Sequence, residues 1–312
     1  MKIYEYAPGK SINTGDTVIA LGLFDGVHKA HRELLSLAKR EAKRNGLTFA
    51  VFTFGSGEIK KTKSIYSTEQ KLDILESLGA DAVILANFED ICNVTAQDFI
   101  ESCLIGDMHC KIAAAGYDFR FGKGAEGDAD LLSEVLSKHN RYAVIEEKQT
   151  WKDEKISSTR IKSLLSEGNI EEANLLLGSP YFLSTSVSHG DGRGHRLGFP
   201  TVNTEFPEET LIPRHGVYRT AIDIDGRLYS AITNVGTCPT FGDRTAHAES
   251  FILDFNGDLY GKNIRIFYLG FLRDEIRFSS EKELIMQINV DKNKVIKENG
   301  ELTWQAIGLN LQ

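Results

Sequence analysis

The sequence predicts two folded units: an α/β unit built on a parallel sheet, then a small antiparallel β-barrel that ends in one helix. Three observations carry this. Apolar strand-like runs alternate with amphipathic helix-like runs as far as about residue 178. Beyond that point come short alternating segments separated by turns, with Asp225-Gly226 the strongest hairpin signal. The chain has 312 residues, enough for two separate cores. A helical run closes at Gly178-Ser179-Pro180, so the boundary is expected between 1–179 and 180–312.

Taken in order, TVIALGLF (17–24) is a buried strand, and HRELLSLAKREAKRNG follows as a helix. Leu34, Leu35, Leu37, Ala38 and Ala42 form its apolar stripe, and Gly46 is its stop signal. LTFAVFTF (47–54) is a second strand. STEQKLDILESLG opens with Ser67 and Gln70 at capping-box spacing and ends at Gly79. DAVILANF, the helix TAQDFIESCLIG, KIAAAGYDF, the helix DLLSEVLSKHN and RYAVIEE continue the alternation. Such a pattern implies a parallel sheet covered by helices on both faces, with ligands at the carboxyl ends of its strands. STRIKSLLSEGNIEEANLLLG reads as helix. In the second half GVYRTAIDI and RLYSAITNV flank Asp225-Gly226, and ESFILDF and LYGKNIRIFYLGF flank a second hairpin signal, Asn256-Gly257-Asp258. SSEKELIMQINVD closes the unit as a helix, with Ser280 and Glu283 at capping-box spacing.

Composition narrows the function classes. Hydrophobic residues are 41% and charged residues 26% of the chain, as in an ordinary globular protein. No apolar run reaches the length of a membrane helix, and MKIYEYAPGK has no apolar export signal, so no membrane partner is expected. A net charge of −8 argues against a broad nucleic-acid surface but leaves room for a local anion pocket. Cys92, Cys103, Cys110 and Cys238 form no C-x-x-C pair; they fit small core residues in a reducing, cytoplasmic setting.

Three stretches of the first half suit phosphate. GLFDGVHKAHRELL (22–35) places His28 and His31 three apart at a strand-to-helix junction, after Gly22, Phe24, Asp25 and Gly26. Amides at a helix N-terminus favour anions. A metal pair, needing more ligands than Asp25, and plain capping histidines remain alternatives. AGYDFRFGKGAEGD (115–128) carries Asp118, Arg120, Gly122 and Lys123; a surface loop is its bland reading. ISSTRIK (156–162) brings Ser157, Ser158, Thr159 and Lys162 to a helix start, where simple N-capping is the alternative.

In the second half, SHGDGRGHRLGFPTVN (188–203) sets Gly190, Gly194 and Gly198 before Pro200, Thr201 and Asn203. On a strand, Thr201 and Asn203 share one face, and their oxygens are hard donors suited to Mg²⁺ with nucleotide phosphates. An ordinary strand after a glycine-rich hairpin is the alternative.

Together these motifs resemble the bacterial bifunctional riboflavin kinase/FMN adenylyltransferases, or FAD synthetases. G-x-F-D-G-x-H-x-x-H, G-x-D-F-R-F-G-K and I-S-S-T-R-I-K match the adenylyltransferase half. G-x-x-x-G-x-x-L-G-F-P-T-x-N, GVY, NVGTCPTF, ESFILDF, GDLYG and FLRDEIRF match the kinase half in order. The resemblance implies a Rossmann-like nucleotidyltransferase domain and a riboflavin kinase-like barrel. It implies Mg²⁺ and ATP, with riboflavin, FMN and FAD as substrates and products. It further implies His28 and His31 in adenylyl transfer and Glu249 as kinase general base. The residues named in the first-half stretches above, with Gly190, Gly194, Gly198 and Pro200, would bind nucleotide and phosphate; Thr201 and Asn203 would hold the metal; and Asn234, Thr240, Arg273 and Glu275 would contact flavin. For Arg273 a salt-bridged surface role is the alternative. Departures from the family pattern are Ala30 in place of glycine, Lys162 in place of arginine, and no histidine in VFTFGSGEIK. Cys238 and Phe251 depart in the kinase half. The first three motivate an alternative, a riboflavin kinase with an impaired or non-catalytic first domain.

Overall fold

The computed structural model describes residues 1–57, 62–188, 199–237 and 246–309. The chain divides into two compact units, Met1–Ser158 and Thr159–Gln312.

The first unit holds strands β1 (Lys2–Tyr6), β2 (Thr17–Leu21), β3 (Thr48–Phe54), β4 (Ala82–Ala86), β5 (Cys110–Gly116) and β6 (Tyr142–Glu146). All pair in parallel, in the order β1-β4-β3-β2-β5-β6. The central strand β2 is buried at every position, which is why its sequence is apolar throughout after Thr17, whose hydroxyl donates to the Met108 carbonyl. From β2 the chain turns one way to β3 through α1 (Lys29–Asn45), and later crosses to β5 on the other side. That reversal opens a crevice at the carboxyl ends of β2 and β5. Local signals behave as expected. Gly46 closes α1 in the left-handed conformation, and Ser67 and Gln70 form a full capping box on α2 (Thr68–Ser77).

Some expectations need correction. The segment TAQDFIESCLIG is not a plain α-helix. After the short turns α3 (Phe88–Ile91) and α4 (Ala96–Asp98), residues Phe99–Asp107 wind as a wider π-helix. Sequence periodicity does not separate the two windings. The edge strand β1 was not expected, and neither was the small hairpin of β7 (Thr150–Trp151) and β8 (Glu154–Lys155) that follows α5 (Ala129–Lys138) and β6. The expected single helix after ISSTRIK is two helices, α6 (Ser158–Glu167) and α7 (Ile170–Leu177), broken where Gly168 takes φ +81°.

The packing boundary at 158/159 differs from the sequence boundary at 179/180, because α7 is tied to the second unit. The Asn174 side chain donates to the Tyr268 carbonyl and accepts from the Tyr181 amide. Here β9 (Tyr181–Ser186), β10 (Thr201–Glu205), β11 (Gly216–Ile224), β12 (Arg227–Thr237), β13 (Ala246–Ile252) and β14 (Asn263–Arg273) form an antiparallel sheet, ordered β10-β13-β12-β11-β14-β9. Its edges meet where the Ser188 amide donates to the Asn203 carbonyl at 2.8 Å, so the sheet curls into a barrel. Asp225 and Gly226, both at positive φ, turn β11 into β12. Asn256-Gly257-Asp258 does not make a hairpin: β13 is already paired on both edges by β10 and β12, and β14 takes the free edge of β11. Helix α8 (Glu281–Asn299) packs Val295 against Val217, Ile232 and Leu253. Ser280 caps it, while the Glu283 carboxylate reaches Ser279 rather than completing a box on Ser280.

Candidate active sites

The crevice of the first unit is bounded by the loop after β2. Phe24, Gly26 and Val27 all have positive φ there, which turns the chain sharply into α1. Phe24 is fully buried, and a methyl group on Gly22 would stand 3.1 Å from its ring. His28 is the N-cap of α1; its Nδ1 accepts the His31 amide at 3.4 Å. The two imidazoles stack with centroids 3.6 Å apart, and Phe24 meets His31 edge-on at 5.2 Å. Burial pushes His28 down to about 4, against the pull of the Asp25 carboxylate. Burial pushes His31 well below the usual imidazole range, aided by repulsion from His28, Lys71 and Lys155. Both rings are therefore neutral at pH 7. With Nδ1 of His28 accepting, its proton sits on Nε2, where it can be donated. Nδ1 of His31 is buried without a protein partner.

Two other stretches converge here. The Ser158 hydroxyl donates to the Asp25 carbonyl at 2.8 Å, joining the ISSTRIK segment to the histidine loop. The Asp25 carboxylate accepts the Ile65 amide at 2.8 Å. From Thr159 on, the ISSTRIK segment lies in the second unit, where Thr159 is exposed and Lys162 half-buried on α6. The loop 117–128 leaves β5 and is closed by a Phe121–Gly127 bridge. Gly122, at φ +74°, is required there, since a methyl group would lie 2.7 Å from the Ala96 backbone. Arg120 pairs with Asp128 at 3.1 Å, Asp118 pairs with Lys155, and Lys123 is exposed. Ala30 lies in the first turn of α1, and the histidine stack forms beside it.

Two cations near this crevice escaped the sequence reading. Lys155, on the hairpin, carried no signal. Lys71 did carry one: it falls on the buried face of α2 with Ile74 and Leu75, at helical spacing.

The low imidazole value has a testable consequence. The unfolded chain protonates His28 near 6.5, the folded chain only near 4. Between these values the unfolded state binds more protons, so this stability is full above pH 6.5 and is lost as the pH falls to 4. The loss is roughly 3 kcal/mol. Urea midpoints at pH 7 and 4.5 should differ accordingly, and by less in His28→Gln.

In the second unit, Asn203, Glu249 and Asn234 stand directly opposite one another on β10, β13 and β12, and so share one face. Thr201 joins them, its hydroxyl donating to the Glu249 carboxylate at 2.7 Å. The Asn234 amide donates to Glu275 at 3.3 Å. A methyl group on Gly236 would meet that Glu275 carboxylate at 2.4 Å, so glycine leaves room for it. Phe251 takes Phe199 edge-on at 5.3 Å, and Pro200 is exposed just before β10. Gly190, Gly194, Gly198, Thr240 and Cys238 lie outside the described residues. Among the described residues no cluster of three His, Cys, Asp or Glu side chains could hold a metal. The oxygens of Thr201 and Asn203 nevertheless fit Mg²⁺ that arrives on nucleotide phosphates, since that ion keeps water and phosphate ligands rather than an all-protein cage.

Arg273 is engaged elsewhere. Its Nε and Nη2 grip Asp291 of α8 at 3.0 and 2.8 Å, and Nη1 donates to the Asp274 carbonyl. This geometry favours the salt-bridge reading over a flavin contact. Asp291 is 4% exposed, so Asp291→Ala, which strands the guanidinium, should cost about 3 kcal/mol. Urea unfolding checks this, and an unchanged midpoint would contradict it.

Cys103 and Cys110 are buried and free, as expected of core thiols, and Cys92 is partly exposed and free. No helix among the described residues is long and apolar enough to cross a membrane.

Comparison with known proteins places these sites in context. A family model described as FAD synthetase matches residues 10–160, and one described as riboflavin kinase matches residues 177–298. The chain is 35% identical over 292 residues to the bifunctional riboflavin kinase/FMN adenylyltransferase of Bacillus subtilis strain 168, covering 90% of this chain and 92% of that protein. It is 34% identical over 285 residues to the Escherichia coli K12 protein of the same name, covering 88% and 90%. A crystal structure described as a macrolide-efflux protein from Streptococcus pneumoniae superposes with a TM-score of 0.86 at 30% identity, covering 96% of this chain and all of that one. The chain belongs to the bifunctional riboflavin kinase/FMN adenylyltransferase family.

Proposed function

We propose that the protein phosphorylates riboflavin to FMN with Mg-ATP, then adenylylates FMN to FAD with release of pyrophosphate. The observation that carries this reading is the pair of separate constellations: Thr201, Asn203, Asn234 and Glu249 on one barrel face, and the stacked histidines at the sheet crevice. The proposed division of labour follows the motifs, adenylyl transfer in 1–179 and phosphoryl transfer in 180–312.

In the kinase step, Glu249 accepts the proton of the ribityl 5′-hydroxyl as its oxygen bonds to the γ-phosphorus of ATP; the bond to the β-phosphate oxygen breaks and ADP leaves. Thr201 and Asn203 would hold Mg²⁺, which neutralises phosphate charge when bound. Asn234, Glu275 and Thr240 are assigned to flavin, and Gly190, Gly194, Gly198 and Pro200 to the nucleotide. In the second step an FMN phosphate oxygen attacks the α-phosphorus of ATP, the α–β bridge breaks, and pyrophosphate leaves with the bonding electrons. No covalent enzyme intermediate is needed. Neutral His28 and His31 donate to the developing oxyanion, and the amides of α1 add partial positive charge. Gly22, Phe24, Asp25 and Gly26 shape the loop. Ser157, Ser158, Thr159 and Lys162 are assigned to the nucleotide by the motif that carries them, as are Asp118, Arg120, Gly122 and Lys123 of the loop after β5. The proposed location is the cytoplasm, in keeping with the free thiols.

The kinase-only reading is not favoured, because the FAD synthetase model covers the first unit. Incubation with riboflavin and Mg-ATP, followed by separation of FMN from FAD, tests the whole reading. FMN without FAD, even with FMN supplied, would overturn the second activity; no product at all would overturn the first.

A further inference from the structure

Lys71 is a buried cation to which neither proposed reaction gives a role. It lies on the inward face of α2, 4% exposed. Its ammonium donates to the carbonyl of Phe54, the last residue of β3. It also lies 3.5 Å from the Leu23 carbonyl and 3.5 Å from the Thr53 hydroxyl. That hydroxyl itself donates to Leu23 at 3.0 Å. Withdrawing an ammonium from water costs several kcal/mol unless its bonds are replaced. A methionine would fill similar space but could donate to none of these oxygens, so packing alone does not account for a lysine here.

Its position does. Leu23 opens the loop that carries His28, and Phe54 is where β3 leaves the sheet; both lie at the carboxyl edge that forms the crevice. We propose that Lys71 is a positioning residue for adenylyl transfer: its ammonium ties the end of β3 to the histidine loop and keeps a fixed positive charge within electrostatic reach of the His28–His31 pair. This rests on the adenylyl transfer proposed above. Among the described residues, the charged groups acting on that pair are Lys71 from α2, Lys155 from β8, Arg32 from α1 and Asp25 from the loop, and of these only Asp25 favours protonation. The fixed charge therefore helps hold His31 neutral and favours the departing pyrophosphate.

The test uses the full chain with Lys71→Met, Lys71→Gln and Lys71→Arg. FAD formation from supplied FMN is followed from pH 5.5 to 8.5, riboflavin phosphorylation reports on the other unit, and imidazole ¹⁵N shifts follow the histidines. Lys71→Met and Lys71→Gln should lower kcat for FAD formation about tenfold or more. Phosphorylation should stay within about twofold of wild type, and His31 should titrate at higher pH. Lys71→Arg should recover part of kcat, because it keeps the charge. Unchanged FAD formation with unchanged imidazole titration would overturn the proposal. So would equal losses in all three variants with no imidazole shift, which would make the residue merely structural. Lys71→Gln serves if the methionine variant does not fold. A wild-type protein that makes no FAD from FMN overturns the underlying reading instead, and that arm is read before any variant.

Discussion

Glu249→Gln is expected to abolish formation of FMN from riboflavin and Mg-ATP while FAD formation from supplied FMN continues. The substitution keeps size and shape. The amide oxygen can still accept the Thr201 hydroxyl, which now donates to the carboxylate at 2.7 Å. What is lost is a group that can take a proton. General-base assistance contributes about 10²–10⁴-fold to such steps, so FMN formation should fall by that factor. Glu249 is half-buried and faces outward from a strand whose Ala248 and Ser250 point into the core, so stability should change little. Separate assays of the two products check the result. Loss of both activities would count against two sites.

His28→Ala and His31→Ala are each expected to cut FAD formation by about 10²–10³-fold, the effect of deleting one oxyanion donor, with riboflavin phosphorylation intact. Each ring does more than donate. His28 caps α1, which is worth about 1 kcal/mol, and His31 fills space between Phe24 and His28. A modest fall in stability should accompany the catalytic loss without explaining it. The wild-type pH profile carries a further sign. Because burial holds His28 near 4 and His31 well below the usual imidazole range, the rate of FAD formation should not decline from imidazole protonation between pH 8 and 5.5. An acid limb near 6.5 that vanished in His28→Ala would contradict this electrostatic picture.

Much of the fold was legible because its cues are local. Continuous apolar runs marked strands buried on both faces, Ser67 and Gln70 marked a helix start, and Gly46 marked a helix stop. Asp225-Gly226 marked a hairpin because both residues tolerate the positive φ that the turn needs. Asn256-Gly257-Asp258 offered the same cue and misled, because whether two successive strands pair depends on which edges other strands have already taken. The π-helix at Phe99–Asp107 was hidden for a related reason. Its winding is set by packing, and the residue types alone suit an ordinary helix.

By itself the sequence determined that this chain has two units and which motifs each carries, since residue type, spacing and turn chemistry are local properties. It also determined candidate groups, His28 and His31 at a helix start and Thr201 and Asn203 on one strand face, whereas Glu249 stood out only through the family resemblance. Only the tertiary structure decided their states and partners. It stacked the imidazoles and buried them into neutrality, and it brought Ser158 to Asp25 and Thr201 to Glu249. It bound Arg273 to Asp291 and set Lys71 against the carboxyl end of β3. The reason is physical: protonation and pairing depend on burial and on charges contributed by distant segments, and those distances exist only once the chain has folded.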